Sequence, residues 1–557
     1  MLTLVLFVML STASAQEPTT TASPPVTQST LATDNEHGYR VSGIVVDATT
    51  GAPLGGAQVN ITSSTSQDME GILADEKGRF VFEDVPAGKY VLSAKRKAYV
   101  EQLYKQHQQF STAIIAGPRL NTENLRFELR PGASISGVVS DEAGEPVRDA
   151  QVTLIQRGVF MGERRTFQYG ATNTNDLGQF RFGHLTPGTY FIAVSATPWY
   201  ADRGQEYFPM QVRNLDGTPQ TWRSERQVLL PEPELDVVYP MTFFPNSPNM
   251  AGAAPITVHS GDAEVADIRL QAVLGAHIIV RTPLPNVSAN VSQQLVERQR
   301  LNVPASTHQI APGVLEISGL PTGRVDIDLD DGAGIIWSRQ SVQVSGGNSE
   351  ITVGAAVSVK LTGVARFDDA SAFNAAPRLQ LKSTATDTWY QLPSRKDGTF
   401  ELQQDGLPPG SYEIWVMQSR DAEEVRSIST TNAKVTSSRG FEITGAGDVR
   451  LDVVLSRGTG SITGFAVKNG KPLDAVMVAL VPENPEQNLV LFRRDQSDSD
   501  GSFNLPGVHP GKYTLIALEN GWDIEWLEPG ALKKYLAGGE RIDVTRNAKL
   551  EVKIKVQ

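Results

Sequence analysis

Short runs in which apolar and polar residues alternate recur along the chain, and they predict β-strands. The clearest case is the stretch 175–193, which reads NDLGQFRFGHLTPGTYFIA. Phe180 and Phe182 alternate there with polar residues, a Pro-Gly turn follows, and the alternation resumes at Tyr190. Because successive side chains on a strand point to opposite faces, this pattern predicts two short strands joined as a β-hairpin.

The same pattern returns four more times, which predicts a repeat protein. The related stretches begin at Asp75, Gly313, Lys396 and Ser499. In each of them, proline fixes φ and glycine tolerates a positive φ, so the chain reverses in the same way. A tyrosine follows the glycine by two residues in four of the five stretches, and we expect its ring in the core and its hydroxyl bonded to the backbone.

Each of these stretches belongs to a longer unit with a fixed order of strands. In the first unit, a strand at 41–46 precedes a Gly-x-Pro turn, a second strand at 57–61, the hairpin, and a closing strand at 125–129. Such strands bury their apolar faces as two stacked sheets. The sequence therefore predicts an all-β fold, a tandem array of about five small antiparallel β-sandwich domains at residues 39–131, 132–272, 273–355, 356–457 and 458–557. The third domain is degenerate, and the fifth contains a short helix expected at 528–536.

The N-terminal residues predict export. Residues 1–16 combine an apolar stretch with a small-residue Ala-Ser-Ala segment, the pattern of a cleaved signal peptide. Residues 17–38 are rich in Thr, Ser and Pro and predict a linker. No run approaches the roughly 20 apolar residues of a membrane helix, so no transmembrane segment is predicted. We expect a periplasmic, outer-surface or extracellular location.

Composition narrows the function classes. The chain has 557 residues, a hydrophobic content of 40% and a charged content of 20%, which are typical of globular domains. A net charge of −12 argues against a nucleic-acid partner, and the run Lys95-Arg96-Lys97 is interpreted as a solvated strand end. There is no cysteine, which excludes disulfides and a thiol nucleophile.

The repeated residues resemble the carboxypeptidase regulatory-like domain, a transthyretin-like and Ig-like β-sandwich found in series in many secreted bacterial proteins. The resemblance rests on an isolated glycine of the first strand, the proline of the Gly-x-Pro turn, and the Asp-x-x-Gly-x-Phe…Pro-x-Gly-x-Tyr segment; the glycines are Gly43, Gly137, Gly363 and Gly464, and the prolines are Pro53, Pro146 and Pro472. It implies an exported array of sandwiches. The family overlaps with carbohydrate-binding-like folds, but a shared fold does not transfer a function.

The sequence offers no constellation typical of an enzyme, and we predict a protein without catalytic activity. A zinc carboxypeptidase needs a His-x-x-Glu pair, and none of the seven histidines has a glutamate three residues later. His259 has Asp262 at that spacing, but within a turn. His184 and His509 lie beside Pro-Gly turns, and we expect half-exposed rings there. A Gly-x-Ser-x-Gly elbow, a phosphate loop and a dinucleotide fingerprint are all missing from the sequence.

Two groups of residues remain as candidate binding sites. Asp495, Asp498 and Asp500 offer oxygen ligands for calcium, although their spacing is not that of an EF-hand and solvated turn residues are the favoured interpretation. The insertion that follows residue 193 is rich in aromatic residues. Its candidates for stacking on a sugar ring or a partner peptide are Trp199, Tyr200, Trp222 and Tyr239.

These observations lead to two functional hypotheses. The first is a secreted or cell-envelope scaffold or adhesion-type protein whose loops contact a partner, with strand addition at sheet edges as one mode of contact. The alternative is a carbohydrate-binding protein that uses the aromatic residues of the second domain. Both leave the partner, protein or glycan, unidentified.

Overall fold

The structure, a computed structural model, describes residues 38–160, 162–201, 234–296, 299–330, 336–354, 359–384, 388–402, 407–417, 423–445, 447–485, 488, 491–526, 528 and 530–557. The predicted signal peptide, all but the last residue of the predicted linker, and residues 202–233 of the aromatic insertion lie outside these residues. In the described part of the chain, no helix is long and apolar enough to cross a membrane.

Sandwich 1 contains eight strands in two sheets. Its strands are β1 (Tyr39–Asp47), β2 (Gln58–Ser63), β3 (Met69–Leu73), β4 (Arg79–Val85), β5 (Gly88–Lys95), β6 (Gln102–Leu103), β7 (Ile114–Ala116) and β8 (Leu125–Leu129). One sheet has the order β4-β1-β8. The other has the order β3-β2-β5, with β6 and β7 both pairing with β5.

Sandwich 2 repeats this plan and adds short strands from the insertion. Its strands are β9 (Ala133–Ser140), β10 (Gln151–Phe160), β11 (Glu163–Asn173), β12 (Gln179–Leu185), β13 (Gly188–Ser195), β14 (Val237–Val238), β15 (Thr242–Phe243), β16 (Ile256–Val258), β17 (Ala263–Val265) and β18 (Ile268–Arg269), with a 3-10 turn at Met250–Gly252. The sheet orders are β12-β9-β17, with β18 also on β9, and β11-β10-β13-β15, with β16 also on β13. Strand β19 (Val273–Leu274) pairs with β14.

Sandwich 3 has eight strands, and sandwich 4 has nine. Those of sandwich 3 are β20 (Ala276–Arg281), β21 (Ser288–Val296), β22 (Gln299–Asn302), β23 (Ser306–Ala311), β24 (Val314–Leu320), β25 (Gly323–Asp330), β26 (Ile336–Val344) and β27 (Asn348–Thr352). Those of sandwich 4 are β28 (Leu361–Phe367), β29 (Leu379–Ser383), β30 (Trp389–Leu392), β31 (Thr399–Glu401), β32 (Gly410–Val416), β33 (Glu424–Thr431), β34 (Lys434–Val435), β35 (Gly440–Ile443) and β36 (Val449–Ser456). The sheet orders are β23-β24-β20-β27 and β22-β21-β25-β26 in sandwich 3, and β31-β28-β36-β33 and β30-β29-β32-β35-β34 in sandwich 4.

Sandwich 5 completes the described array. Its strands are β37 (Gly460–Lys468), β38 (Lys471–Pro472), β39 (Met477–Pro482), β40 (Arg493–Gln496), β41 (Ser502–Val508), β42 (Gly511–Leu518), β43 (Glu540–Val544) and β44 (Lys549–Lys555). The sheet orders are β38-β37-β41, with β44 also on β37, and β40-β39-β42-β43. The helix expected at 528–536 is shorter than predicted, because only the single turn α1 (Lys533–Leu536) is helical.

One topological rule holds in all five sandwiches. The first strand runs antiparallel to the strand before the Pro-Gly turn and parallel to the last strand of its sandwich, as β1 does with β4 and β8. The same two pairings are made by β9, β20, β28 and β37. Each sandwich encloses its own apolar core. The predicted all-β array of five β-sandwiches is therefore confirmed, while the predicted bounds of each domain stay predictions.

The predicted β-hairpins are wrong. Strand β12 pairs with β9 and strand β13 pairs with β10, so the Pro-Gly turn carries the chain from one sheet to the other. The other four sandwiches do the same. Alternation reports which face of a strand is apolar, and both strands point that face into the same core: Phe180 and Tyr190 lie in one apolar cluster. The pattern could not tell neighbours in one sheet from strands facing each other across the core.

The tyrosine after each Pro-Gly turn fixes this crossing. Its hydroxyl donates a hydrogen bond to the backbone carbonyl four residues earlier, at 2.9 Å for Tyr90, 2.8 Å for Tyr190, 2.6 Å for Tyr412 and 2.8 Å for Tyr513. The expected core ring and backbone bond are confirmed. This is the tyrosine corner of Greek-key sandwiches, in which one side chain joins the core to the turn above it.

Candidate interaction surfaces

The aromatic candidates of sandwich 2 do not form one open platform. Trp199 has an exposed fraction of 83%, and its ring centre is 5.6 Å from that of Tyr200 at an angle of 82°. Tyr239 is only 3% exposed, so its ring lies in the core and offers no face to a ligand. Trp222 lies outside the described residues. The prediction of a stacking site now depends on Trp199 and Tyr200.

Glu142 fixes the hydroxyl groups of Tyr200 and Tyr239. Its carboxylate accepts hydrogen bonds from the hydroxyls of Tyr200 and Tyr239, the latter at 3.2 Å. The bond to Glu142 and burial raise the pKa of Tyr200 to about 12. Burial and the same carboxylate raise the pKa of Tyr239 further. Both phenols are therefore neutral donors, and Trp199 is the freely exposed ring of this group.

The aspartates proposed for calcium have other partners. Asp495 accepts hydrogen bonds from the backbone N–H of Gln496 at 2.9 Å and of Asn504 at 2.8 Å, and Asp500 accepts one from Ser502 at 2.9 Å. Among the described residues, no group of three or more histidine, cysteine, aspartate or glutamate side chains is placed to hold a metal ion.

The histidines differ in environment, and one expectation is wrong. His184 is exposed, and the exposed His259 bonds Asp262 within its turn, with 3.0 Å between Nδ1 and Oδ2. His509 was expected to be half-exposed, but it is 6% exposed because sandwich 4 covers it. Its Nδ1 is 3.3 Å from Ser456 Oγ, and its Nε2 is 3.7 Å from Glu424.

Ser456, His509 and Glu424 are the residue types of a hydrolytic triad, but they form a joint between sandwiches 4 and 5. Ser456 and His509 are both buried, so a substrate cannot reach the hydroxyl. The 3.7 Å separation from Glu424 exceeds hydrogen-bond length. Burial, with a smaller effect of Arg493, lowers the pKa of His509 to about 4, which keeps the imidazole neutral.

An ion pair joins sandwich 5 to sandwich 1, at the opposite end of the array. Lys89 Nζ is 2.6 Å from Asp498 Oδ2, and the Asp498 side chain is only 4% exposed. Burial raises the pKa of Asp498, and Lys89 opposes that shift. A second pair links Lys105 and Asp474 at 2.6 Å. We call this contact, between residues 89–115 and 474–522, the 1–5 interface.

Backbone groups continue the 1–5 interface. The N–H of Ser499 donates to the carbonyl of Ala113 at 2.9 Å, and the N–H of Ile115 donates to Ser499 Oγ at 2.9 Å. Thr112 Oγ1 donates to the carbonyl of Ser497 at 3.2 Å. Gln496 Nε2 donates to the carbonyl of Lys105 at 2.7 Å. The interface therefore satisfies the hydrogen-bonding capacity of main-chain N–H and carbonyl groups, as pairing between strands does in a β-sheet.

Aromatic rings complete the contact. Trp522 stacks on His107 with ring centres 5.0 Å apart and planes 4° apart, and Phe110 lies 5.6 Å from the same ring. Trp522 is 7% exposed. Sandwich 2 also contacts this region, because Arg164 Nε donates to Glu525 Oε1 at 2.8 Å. The described array is thus folded back on itself.

The sequence carried a weak signal of the 1–5 interface. In sandwich 1, Asp75 opens its turn and accepts hydrogen bonds from the N–H groups of Lys77 and Arg79 at 2.9 and 2.8 Å. In sandwich 5, Asp500 accepts the corresponding bond from Ser502, which leaves Asp498 to bind sandwich 1. The sequence presents Asp495, Asp498 and Asp500 as possible calcium ligands, with solvated turn residues as the favoured interpretation. The partner, more than 350 residues away in sequence, could not be inferred.

Comparisons with known proteins support the domain type. Residues 40–114 and 134–212 match the family model of the carboxypeptidase regulatory-like domain. No curated protein sequence matches the chain.

Several solved pilin structures are similar in part. The minor pilin GBS52 of Streptococcus agalactiae is 11% identical, with 42% of this chain and 96% of that chain covered and a TM-score of 0.21. A streptococcal ancillary pilin is 12% identical, with 50% and 98% covered and a TM-score of 0.17. The shaft pilin SpaA of Lactobacillus rhamnosus GG is 12% identical, with 42% and 98% covered and a TM-score of 0.18. TM-scores of this size do not indicate a common overall arrangement.

Proposed function

From the premise that the chain carries carboxypeptidase regulatory-like domains within a tandem array of β-sandwiches, we propose that it is a non-catalytic scaffold of the cell envelope or extracellular space. In this role the sandwiches hold loops and sheet edges in fixed positions for a partner. The signal-peptide pattern of residues 1–16 supports the export that this role requires.

The observation that carries this proposal is the 1–5 interface. A scaffold needs fixed distances between its parts, and contacts between non-neighbouring domains supply them. The pair between half-exposed Lys89 and buried Asp498, together with the stacked Trp522, joins domains that are far apart in sequence. Removing Lys89 would leave the buried Asp498 carboxylate uncompensated, which makes the contact sensitive to substitution.

Small-angle X-ray scattering of the full chain tests the proposal. We expect Asp498→Ala combined with Trp522→Ala to open the array and to raise its radius of gyration, while each sandwich keeps its β-structure by circular dichroism. Asp75→Ala is the matched control, because Asp75 holds the equivalent turn position in sandwich 1 and bonds only within its own turn. An unchanged scattering profile in the double variant would contradict a scaffold fixed by this interface.

Glycan binding is the second candidate, favoured by the 83% exposure of Trp199. An exposed indole stacks on the apolar face of a sugar ring. A glycan array probed with the full chain and with Trp199→Ala tests it, with Trp389→Ala in sandwich 4 as the control because that ring is also exposed, at 47%. Binding that is lost only in Trp199→Ala would support a sugar site at Trp199. Binding that is retained by Trp199→Ala would exclude a sugar site at that residue.

A further inference from the structure

A groove lined by several charged residues lies where sandwich 1 meets sandwich 2. It has a volume of about 580 Å³, and its lining includes Lys95, Arg96, Lys97, Tyr99, Glu101 and His184. We infer that this site, called the basic groove below, binds an oligoanion, a ligand with two or more neighbouring phosphate or carboxylate groups. The inference is independent of the scaffold proposal.

The charge of the basic groove is opposite to that of the chain. Lys95 and Lys97 are exposed, and neither has an ion-pair partner among the residues that the structure describes. Among the described residues that line the groove, Glu101 is the one with an acidic side chain. A chain of net charge −12 thus places three consecutive cations beside one carboxylate in a concave site, where the field of several charges is focused on a ligand.

Arg96 is held in place before any ligand arrives. Its Nε donates to the carbonyl of Gly55 at 3.1 Å, and its guanidinium carbon is 5.6 Å from the centre of the Tyr99 ring. Tyr99 is fixed in turn, because its hydroxyl donates to Asp47 Oδ2 at 2.9 Å. A pre-positioned guanidinium loses little conformational entropy on binding an anion, which favours affinity.

The opposite wall carries His184 in an unusual backbone conformation. Its φ is +56°, in the left-handed region that glycine adopts most easily. Sandwiches 3 and 5 have glycine at the equivalent position, Gly319 with φ +70° and Gly507 with φ +64°, and sandwich 1 has Asp84 with φ +52°. Sandwich 2 instead has an imidazole there, and the imidazole lines the groove. The imidazole thus reaches the groove from a backbone position that glycine occupies in two other sandwiches.

The two walls are joined rigidly. The N–H of Gly132 in sandwich 2 donates to the carbonyl of Ala98 in sandwich 1 at 2.9 Å, and within sandwich 1 the N–H of Val100 donates to the carbonyl of Arg130 at 3.0 Å. A Cβ atom at position 132 would lie 2.9 Å from the Cα of His184, so the joint also fixes that wall. The groove therefore keeps its width, and at this volume it accommodates several linked anionic groups.

Isothermal titration calorimetry of the full chain tests the inference with two probes, tripolyphosphate and trigalacturonate. We expect binding of one or both that weakens as salt is added. A response to tripolyphosphate alone identifies phosphate as the preferred group, and a response to trigalacturonate alone identifies carboxylate. The absence of binding to both probes by the folded protein would overturn the inference.

Substitutions place the binding in the basic groove. We expect Lys95→Gln with Lys97→Gln to weaken binding roughly tenfold or more, because each charged hydrogen bond contributes strongly. The control is Lys553→Gln with Lys555→Gln, two exposed lysines at the same spacing on β44. His184→Asn keeps a residue that tolerates the left-handed backbone, and it should weaken binding to a smaller degree. Equal effects of the two lysine pairs would overturn the inference.

Discussion

The glycine of each first strand is required because a neighbouring strand passes too close for a side chain. A Cβ atom at Gly137 would lie 2.2 Å from the carbonyl oxygen of Ala266, and one at Gly464 would lie 1.7 Å from that of Val552. The corresponding distances are 2.1 Å at Gly43 and 2.4 Å at Gly363. These are the four glycines that the resemblance rests on, and the parallel closing strand is the physical reason for them.

A substitution at Gly137 measures this constraint. We expect Gly137→Ala to destabilise sandwich 2 by about 3 kcal/mol, because backbone must move to admit the methyl group. The measurement is hydrogen exchange of the β9 amides in the full chain, which reports local stability. Gly158 on β10 is the matched control, since a Cβ atom there meets nothing within 4 Å. Equal loss of protection in both variants would show that the closing strand is not the cause.

At the scale of elements, strands could be predicted and their partners could not. Alternation located β12 and β13 and predicted buried positions such as Phe180 and Tyr190, because side-chain period depends on the local backbone alone. Pairing depends on the rest of the sandwich, which is why the supposed hairpin is a crossing between sheets. The helix expected over 528–536 is confined to α1 for a related reason, since Leu532, Tyr535 and Leu536 pack against sandwich 5.

Candidate sites were predicted less well than strands. The exposed Trp199 was identified from its aromatic neighbourhood, but nothing local distinguishes it from the buried Tyr239. The burial of His509 depends on sandwich 4, and the partner of Asp498 belongs to sandwich 1. Each of these facts depends on contacts between domains, which leave no periodic trace in the sequence.

At the scale of the whole molecule, two histidines give the joints between sandwiches opposite responses to pH. The pKa of His509, at the joint of sandwiches 4 and 5, is lowered to about 4 by burial. At the joint of sandwiches 2 and 3, His277 lies between Glu316 at 2.9 Å and Asp236 at 2.5 Å. Burial acts to lower the pKa of His277, but its bonds to the two carboxylates outweigh burial and raise it.

The sign of each response follows from the state that binds more protons. Unfolded His509 takes up a proton near the ordinary histidine pKa of 6.5, so the contribution of His509 to its joint is fully present above that pH and falls by up to about 3 kcal/mol as the pH falls toward 4. His277 stabilises its joint fully below pH 6.5, and that contribution is lost as the pH rises through its raised pKa.

Thermal unfolding of the full chain between pH 7.5 and 4.5 checks the acid response. We expect the unfolding temperature to fall less with acidification in His509→Gln than in the parent chain, because the variant has no buried imidazole to protonate. His259→Gln, at an exposed turn, should behave as the parent does. Identical slopes for His509→Gln and the parent would show that this joint does not respond to acid.

The 1–5 interface has a mechanical consequence. A pulling force applied between sandwiches 1 and 5 acts on this interface in parallel with the intervening chain, so the interface bears the load first. When it breaks, the array lengthens while every sandwich stays folded, and relaxation allows Asp498 to meet Lys89 again. The molecule would then behave as a reversible spring, whose first extension is limited by the contacts of sandwich 5 with sandwiches 1 and 2 and not by the strength of any β-sheet.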